Sequence, residues 1–329
     1  MRFGHRASSV CIWTHGSPGN TKKENMSIIT VANLKGGVGK TSLAINVACA
    51  FSKRFCETLL IDLDGQGDAS YLLAGHLNKS RSALRPANPS HSLLERFSTL
   101  CKDQIVEVRP GLDLLPVTAL RDLIPDGSLQ TLAEHGEVLP RLIRNLSYDY
   151  DNIIIDTPPA WSAVHGATLS ASDLAVVPID PSEMSVRAAI SFLNKASDTT
   201  TASALLVRTL VSRQARSITR QAKQKLEQTF LGQSSEDHLG EKIPQRVRLK
   251  GLASQVEDGI EIYLSHAAIF RSEIAHKLTY EKKTVFEHKA VSHIAESYMQ
   301  LASNIEKVAA LHQPETLEPL EDMLDLAFA

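Results

Sequence analysis

The stretch that decides the fold is "SIITVANLKGGVGKTSLAINVACAFSKRF", Ser27 to Phe55. Its opening, Ser27 to Asn33, reads as a strand whose continuous apolarity fits a sheet covered on both faces. From about Thr41, residues Ala44, Val47, Ala48 and Phe51 recur at helical spacing along one face. Between strand and helix lie Gly36, Gly37, Val38 and Gly39. The glycines let the backbone curl so that its N–H groups converge on an anion, with the helix dipole behind them. Lys40 closes the loop where an amine reaches β- and γ-phosphates, and Thr41, followed by Ser42, offers a hydroxyl to magnesium. The segment therefore predicts a site for a nucleoside triphosphate with Mg2+. Lys35, at the start of the loop, is spare in that scheme and is free to point toward a second molecule.

Working outward, "TLLIDLD" (Thr58 to Asp64) reads as a second strand. It ends in Asp62 and Asp64, which at i and i+2 share one side of a sheet. "LDLLPV" (Leu112 to Val117), "DNIIIDTPP" (Asp151 to Pro159), "DLAVVPID" (Asp173 to Asp180) and "ALLVRT" (Ala204 to Thr209) read as further strands. Helices are predicted over Val138 to Leu146, Met184 to Lys195 and Ala215 to Phe230. Strands alternating with helices of this length predict an α/β fold, a doubly wound, mostly parallel sheet flanked by helices. Gly65 to Asp103 is polar and broken by Pro86 and Pro89, with a short helix over Leu93 to Leu100. Further on, the pattern predicts a loop over Gly232 to Glu241 and a helix over Val256 to Ala268. A short last strand "AAIF" (Ala267 to Phe270) follows, then helices over Glu273 to Tyr280 and Val291 to Leu311. The expected organisation is an N-terminal extension (1–25), one domain (26–312) with an insertion within 231–266, and an acidic tail (313–329).

The bulk properties set limits. With 329 residues, 43% of them hydrophobic, the chain can fill a sizeable core. A formal net charge of -2 hides an asymmetry. Residues 208–250 carry ten Lys/Arg against four Asp/Glu, whereas 312–329 carries five acids and no Lys or Arg. Cys11, Cys49, Cys56 and Cys101 show no C-x-x-C spacing and read as free thiols of a reducing compartment. No apolar run approaches ~18 residues, so no spanning helix is expected.

Lys35 to Thr41 reads K-G-G-x-x-K-[ST], which resembles the deviant phosphate loop of the ParA/MinD ATPases within the SIMIBI group. The resemblance implies an ATP-dependent homodimer that sandwiches two nucleotides, in which Lys40 serves its own nucleotide and Lys35 the partner's. "IDLDGQG" is similar to the family's D-x-D-P-Q-G, with Gly65 replacing the proline. By that match Asp64 orients the attacking water and Asp62 holds the magnesium shell. Asp156 matches the second acidic motif, binding Mg2+ through water, with Thr157 to Pro159 as a switch that senses the γ-phosphate. "AVVPIDPSEMSVRA" resembles the family's turn at Pro178, leading into a helix beneath the nucleotide. Arg208 and Thr209 stand where many relatives have an adenine-reading asparagine. "FRSEIAHKLTYEKKTVFE" resembles the late motif ending in "GKTVFE", with Lys282 for the glycine. "KIPQRVRL" (Lys242 to Leu249) also resembles the strand of that motif, and the later copy fits better because it runs directly into "KTVFE".

Features of particular relatives are absent from the sequence. No cysteine lies near or beyond Asp156 for a shared iron–sulfur cluster. The tail carries no basic residue that would draw it to anionic lipid. The 34 residues ahead of Lys35 leave no room for an operator-reading helix-turn-helix domain. The resemblance then implies a compact ParA-type ATPase. Such a protein binds double-stranded DNA without sequence preference as an ATP dimer and releases it when a ParB-like partner stimulates hydrolysis. It would be cytoplasmic and on the nucleoid in its ATP form. Arg213, Arg216, Arg220 and Lys223, with Arg246, Arg248 and Lys250, are the candidate phosphate contacts, and Arg216, Arg220 and Lys223 share one helical face. The alternative is a related ATPase that positions a protein cargo, or a regulatory ATPase without DNA binding.

Overall fold

The computed structural model describes residues 26–75, 99–123, 128–134, 137–200, 202–212, 230–233, 245–249 and 260–311. Strand β1 (Ser27–Val31) runs into α1 (Lys40–Ser52), followed by β2 (Thr58–Asp62) and α2 (Asp68–Ala74). Next come β3 (Val106–Arg109), β4 (Leu112–Leu115), α3 (Val117–Leu123), α4 (Leu129–Glu134), α5 (Val138–Leu146) and β5 (Asn152–Asp156). Then follow α6 (Ala163–Ala171), β6 (Leu174–Ile179), α7 (Glu183–Ser197) and β7 (Ser203–Val211). Beyond them lie β8 (Phe230–Gln233), β9 (Gln245–Leu249), β10 (Ile262–Phe270), α8 (Glu273–Tyr280) and α9 (Ser292–Ala310).

One sheet has the order β3-β4-β2-β5-β1-β6-β7-β10-β9-β8. From β4 to β10 every neighbouring pair is parallel; β3 at one end and β9 and β8 at the other are antiparallel. Every residue of β1, β2, β5 and β6 is buried, as strands with helices on both faces must be. Ile29, Val31, Leu60 and Ile154 belong to the core shared with α1 and α9, while Ile28, Leu59, Ile153 and Ile155 face α5 and α6. Because β1 lies between β5 and β6, the chain reverses direction across the sheet at its carboxyl end, where doubly wound folds hold their ligands.

Several expectations are corrected. α1 is not amphipathic: Leu43 to Phe51 are all buried, because α9 covers the side turned away from the sheet. The helix predicted over Val256 to Ala268 is instead, from Ile262 onward, the strand β10, and its short, mixed apolar residues are held extended by parallel pairing with β7. Phe230, placed at a helix end, begins β8, and Gly232 and Gln233, placed in a loop, lie within it. The rest of Ala215 to Phe230 and of Gly232 to Glu241 lies outside the described residues, as does Leu93 to Ser98 of the short helix; Thr99 and Leu100 are helical. The two copies of the late strand are both strands, but the later one, β10, lies beside β7, and residues 245–249 of the earlier one add an antiparallel strand outside it. Helix α2 and strand β3 form inside or beside the segment expected to be polar and broken.

Two helix ends share one device. Phe55 N–H donates to the Ser52 carbonyl and Cys56 N–H to that of Phe51, while Lys282 and Lys283 repeat the pattern on Thr279 and Leu278. This is the left-handed helix cap that favours glycine, yet Phe55 (φ 64°) and Lys282 (φ 55°) occupy it. Lys282 stands where the late motif carries its glycine, and its ammonium lies 4.6 Å from the centre of the Tyr71 ring on α2.

Candidate functional site

The loop between β1 and α1 is anchored from below before it turns. Asn33, fully buried, donates to the Pro178 carbonyl at 2.7 Å and accepts the Lys35 N–H at 3.0 Å. Pro178 is not in a turn, as its sequence motif suggested, but inside β6, paired with Val207. Its missing N–H costs nothing on the other side, because the pairing of β1 with β6 ends at Val176. Pro178 thus acts on the loop through Asn33. On the far side the Thr209 hydroxyl donates to the Val38 carbonyl at 2.8 Å, and Arg208 instead reaches the His266 carbonyl at 3.3 Å.

The loop itself is open. Gly37 (φ 74°) and Gly39 (φ 91°) are left-handed, and a methyl group added at Gly36, Gly37 or Gly39 would meet nothing within 4 Å. Gly39 caps α1, which starts at Lys40, one residue earlier than expected, with Thr41 half-buried and Ser42 exposed in its first turn. Lys40 is buried, and its ammonium donates to the Lys35 carbonyl at 3.1 Å, folding back across the loop. Burial pulls its pKa down, against the attraction of Asp156 and Asp64.

Opposite Lys40 stand the acids. Asp62 and Asp156 are direct neighbours in the register of β2 and β5, and both side chains are wholly buried. They differ in what they are given. Asp62 accepts the Ser70 N–H at 2.8 Å, the Ser70 hydroxyl at 2.6 Å and the Asp64 N–H at 3.1 Å, so it ties α2 to the site. Burial nonetheless pushes its carboxyl up to about 6. Asp156 has neither oxygen in hydrogen-bonding geometry, although the Thr41 hydroxyl lies near enough to favour its charged form. Burial, and then Asp62, push it up to about 8. Asp64 lies beyond the end of β2, so the shared-face argument does not hold; its Oδ1 caps a turn by accepting the Gln66 N–H at 3.0 Å. It is half-buried and close enough to be felt by Lys40 and Asp156.

A buried carboxyl whose two oxygens find no partner in hydrogen-bonding geometry is a place for a cation. Among the described residues no group of three or more His, Cys, Asp or Glu side chains could hold a metal by itself. Mg2+ keeps several waters and shares its shell with substrate phosphates, so it needs few protein groups. Asp156, Thr41 and the remaining lone pair of Asp62 are the groups that would hold it.

Lys35 does not extend into solvent. Its ammonium forms an ion pair with Asp180, just past β6, and donates to the Ser182 hydroxyl at 2.9 Å. Asp180 in turn accepts the Ser182 N–H at 2.9 Å, and the Ser182 hydroxyl caps α7 by accepting the Ser185 N–H at 3.2 Å. Asn33, Ser70, Asp180 and Ser182 were not singled out in the sequence. Of these only Asn33, directly before the loop, had a local signal. The candidate DNA contacts Arg213, Arg216, Arg220, Lys223 and Lys250 lie outside the described residues; Arg246 and Arg248 are on β9.

A strand-first glycine loop with a buried lysine, facing two acids at the ends of neighbouring parallel strands, defines a P-loop nucleotide-binding domain. The family model described as an AAA domain matches residues 26–207, more than half of the chain, and the chain belongs to that family. The chain is similar, over about half its length, to curated proteins named as ParA family proteins. It is 33% identical over 162 residues to the chromosome partitioning protein ParA of Myxococcus xanthus, covering 46% of this chain and 51% of that one. Apo McdA from Cyanothece shares its fold with a TM-score of 0.56 at 18% identity, covering 85% of this chain and 99% of that one. A putative plasmid partition protein from Borrelia burgdorferi bound to AMPPNP gives 0.53 at 20% identity, covering 86% and 98%. The chain spans between 51% and 61% of the length of the curated relatives it matches. No helix of the described residues is long and apolar enough to cross a membrane.

Proposed function

We propose that this chain is a positioning ATPase of the ParA/MinD type, which pairs around ATP to hold a partner or cargo and lets go on hydrolysis. The observation that carries the reading is the wholly buried Asp156 with neither oxygen in hydrogen-bonding geometry, directly beside Asp62 on the neighbouring strand and facing Lys40. Bound Mg2+ would neutralise charge between the β- and γ-phosphates. The chain's own groups do the rest. Glycine-loop N–H groups and Lys40 bind the phosphates, Asp64 orients the attacking water, and Lys35 leaves Asp180 to contact the partner's nucleotide. Such catalysis is positioning and electrostatic stabilisation rather than covalent chemistry, and slow basal turnover suits a timer.

The narrower reading is DNA partition, in the cytoplasm and on the nucleoid, with a ParB-like activator. It is supported by the ten Lys/Arg of residues 208–250 and by a relative named as a chromosome partitioning protein. The test of the broader reading is molar mass by light scattering in Mg·ATP and in Mg·ADP, with phosphate release measured alongside. A dimer in ATP alone, weakened by Lys35→Ala while nucleotide still binds, is expected. A wild-type protein that binds ATP and stays monomeric would overturn the paired mechanism.

A further inference from the structure

Immediately beyond the Thr157 to Pro159 segment, three rings meet. Trp161 stacks on His165 of α6, with centroids 5.4 Å apart and planes at 16°. Phe192, from the middle of α7, meets both rings edge-on at 5.9 and 6.4 Å. Lys195, one turn further along α7, sets its ammonium 5.6 Å from the centre of the Trp161 ring. His165 and Phe192 are wholly buried, and Trp161 is half-buried.

The tautomer of His165 follows from its partner. The Ser162 backbone N–H can only donate, and it points at Nδ1 at 3.3 Å, so the ring proton of the neutral imidazole sits on Nε2. That Nε2–H is buried with no group in hydrogen-bonding geometry. Burial pulls the imidazole down to about 4, against the Pro158 carbonyl, which favours the charged ring. The result is a neutral donor without a bond, beside a backbone carbonyl of the segment that follows Asp156. A glutamine could accept the Ser162 N–H in the same way, and a leucine would bury no donor at the cost of that one cap bond, so the orphaned Nε2–H asks for a use.

We propose that His165 is a positioning residue of the switch: its Nε2–H takes the Pro158 carbonyl when the segment closes on nucleotide, and Trp161, stacked on the ring, moves with it. The proposal rests on the nucleotide-binding reading above. His165 touches neither substrate nor metal in it; it holds the backbone that does.

The chain has two tryptophans, Trp13 and Trp161, so Trp13→Phe leaves one indole, beside the switch. In that background Trp161 emission is expected to change with Mg2+ and a non-hydrolysable ATP analogue, and not with Mg·ADP. His165→Leu should abolish the change and lower kcat about tenfold, the worth of one hydrogen bond, with KM for ATP within about twofold. His165→Gln, whose amide places a donor near the Nε2 position, should recover most of both. Calorimetry with the same analogue separates the failures. Binding without any change in Trp161 emission overturns the role of His165 alone, as does a folded His165→Gln no better than His165→Leu. Absence of binding to the wild type overturns the nucleotide reading and this proposal with it. If His165→Leu does not fold, the Trp161 signal and the glutamine variant decide the matter.

Discussion

Replacing Asp180 by asparagine removes one charge and almost no volume. The asparagine keeps an oxygen for the Ser182 N–H, which Asp180 Oδ1 now accepts at 2.9 Å, so the turn into α7 is preserved. What is lost is the ion pair with Lys35, which retains the Ser182 hydroxyl at 2.9 Å. Burial pushes the Asp180 carboxyl up, but the bonds from Lys35 and Ser182 outweigh it and hold the group below the usual carboxylate range. The two side chains are 27% and 12% exposed, so solvent screens the pair in part, and its worth is about 1 kcal/mol. If Lys35 must leave Asp180 to reach a partner's phosphates, each dimer breaks two such pairs, a cost of about 2 kcal/mol or roughly 30-fold in dissociation constant. Asp180→Asn is therefore expected to tighten the ATP dimer about 30-fold and to leave nucleotide binding by the monomer within about twofold. Sedimentation in Mg·ATP, in an Asp64→Ala background to suppress turnover, measures this. A dimer constant that is unchanged or weaker would mean that Lys35 stays on Asp180 throughout the cycle, and the reasoning would fail.

Asp64→Ala itself should retain ATP dimers and lose nearly all phosphate release; full hydrolysis by this variant would show that another group places the water. Phe55→Gly should stabilise the fold by about 1 kcal/mol, because Phe55 is left-handed and 90% exposed and so gives up strain without losing packing. A melting temperature that falls, rather than rising by roughly 2–4 °C, would contradict it. Burial pushes the Cys49 and Cys101 thiols up to about 12, so both should resist alkylation at pH 8 until the chain is unfolded, as mass mapping of labelled cysteines would show. Binding of the ATP form to unrelated duplexes should fall with salt at a log–log slope of roughly -0.9 per phosphate contact. Arg216→Ala with Arg220→Ala should weaken it alike for every sequence; an ATP form indifferent to DNA at low salt would leave a protein cargo as the reading.

The parts of the fold legible in the sequence are those where one segment carries its own signal. Central parallel strands such as Ile28 to Val31 and Ile153 to Ile155 are buried on both faces, so their apolar runs stand out whatever the partners. The phosphate loop is likewise local, since glycines, lysine and helix start lie within ten residues. Of β10 only the end, "AAIF", is legible as a strand; Ile262 to His266 read as helix because they take their extended form from pairing with β7, a partner more than fifty residues away. The same holds within the site. Lys40 and Asp156 could be named from position, but Asn33 on Pro178 and Lys35 on Asp180 are each separated by 145 residues. Asp64 could be named but not placed, because nothing in "IDLDGQG" says whether the strand stops at Asp62 or two residues later. Lys282 shows the reverse case: a departure from a motif's glycine that the backbone tolerates, with its ammonium over Tyr71 as partial recompense.

Helix α7 has a consequence for the order of events. Its first turn is where Lys35 is moored, through Ser182, and three turns later Phe192 and Lys195 press on Trp161 beside the switch. A helix of 15 residues is one stiff rod of about 22 Å, and close-packed interiors pass strain along rather than absorb it. On the proposed function, the end that would register a second subunit and the end that would register a γ-phosphate belong to the same body. In that cycle a tilt at either end would be a tilt at both, and the two signals would be read as one coordinate, so that a nucleotide without a neighbour, or a neighbour without a nucleotide, would move the rod only part of its way.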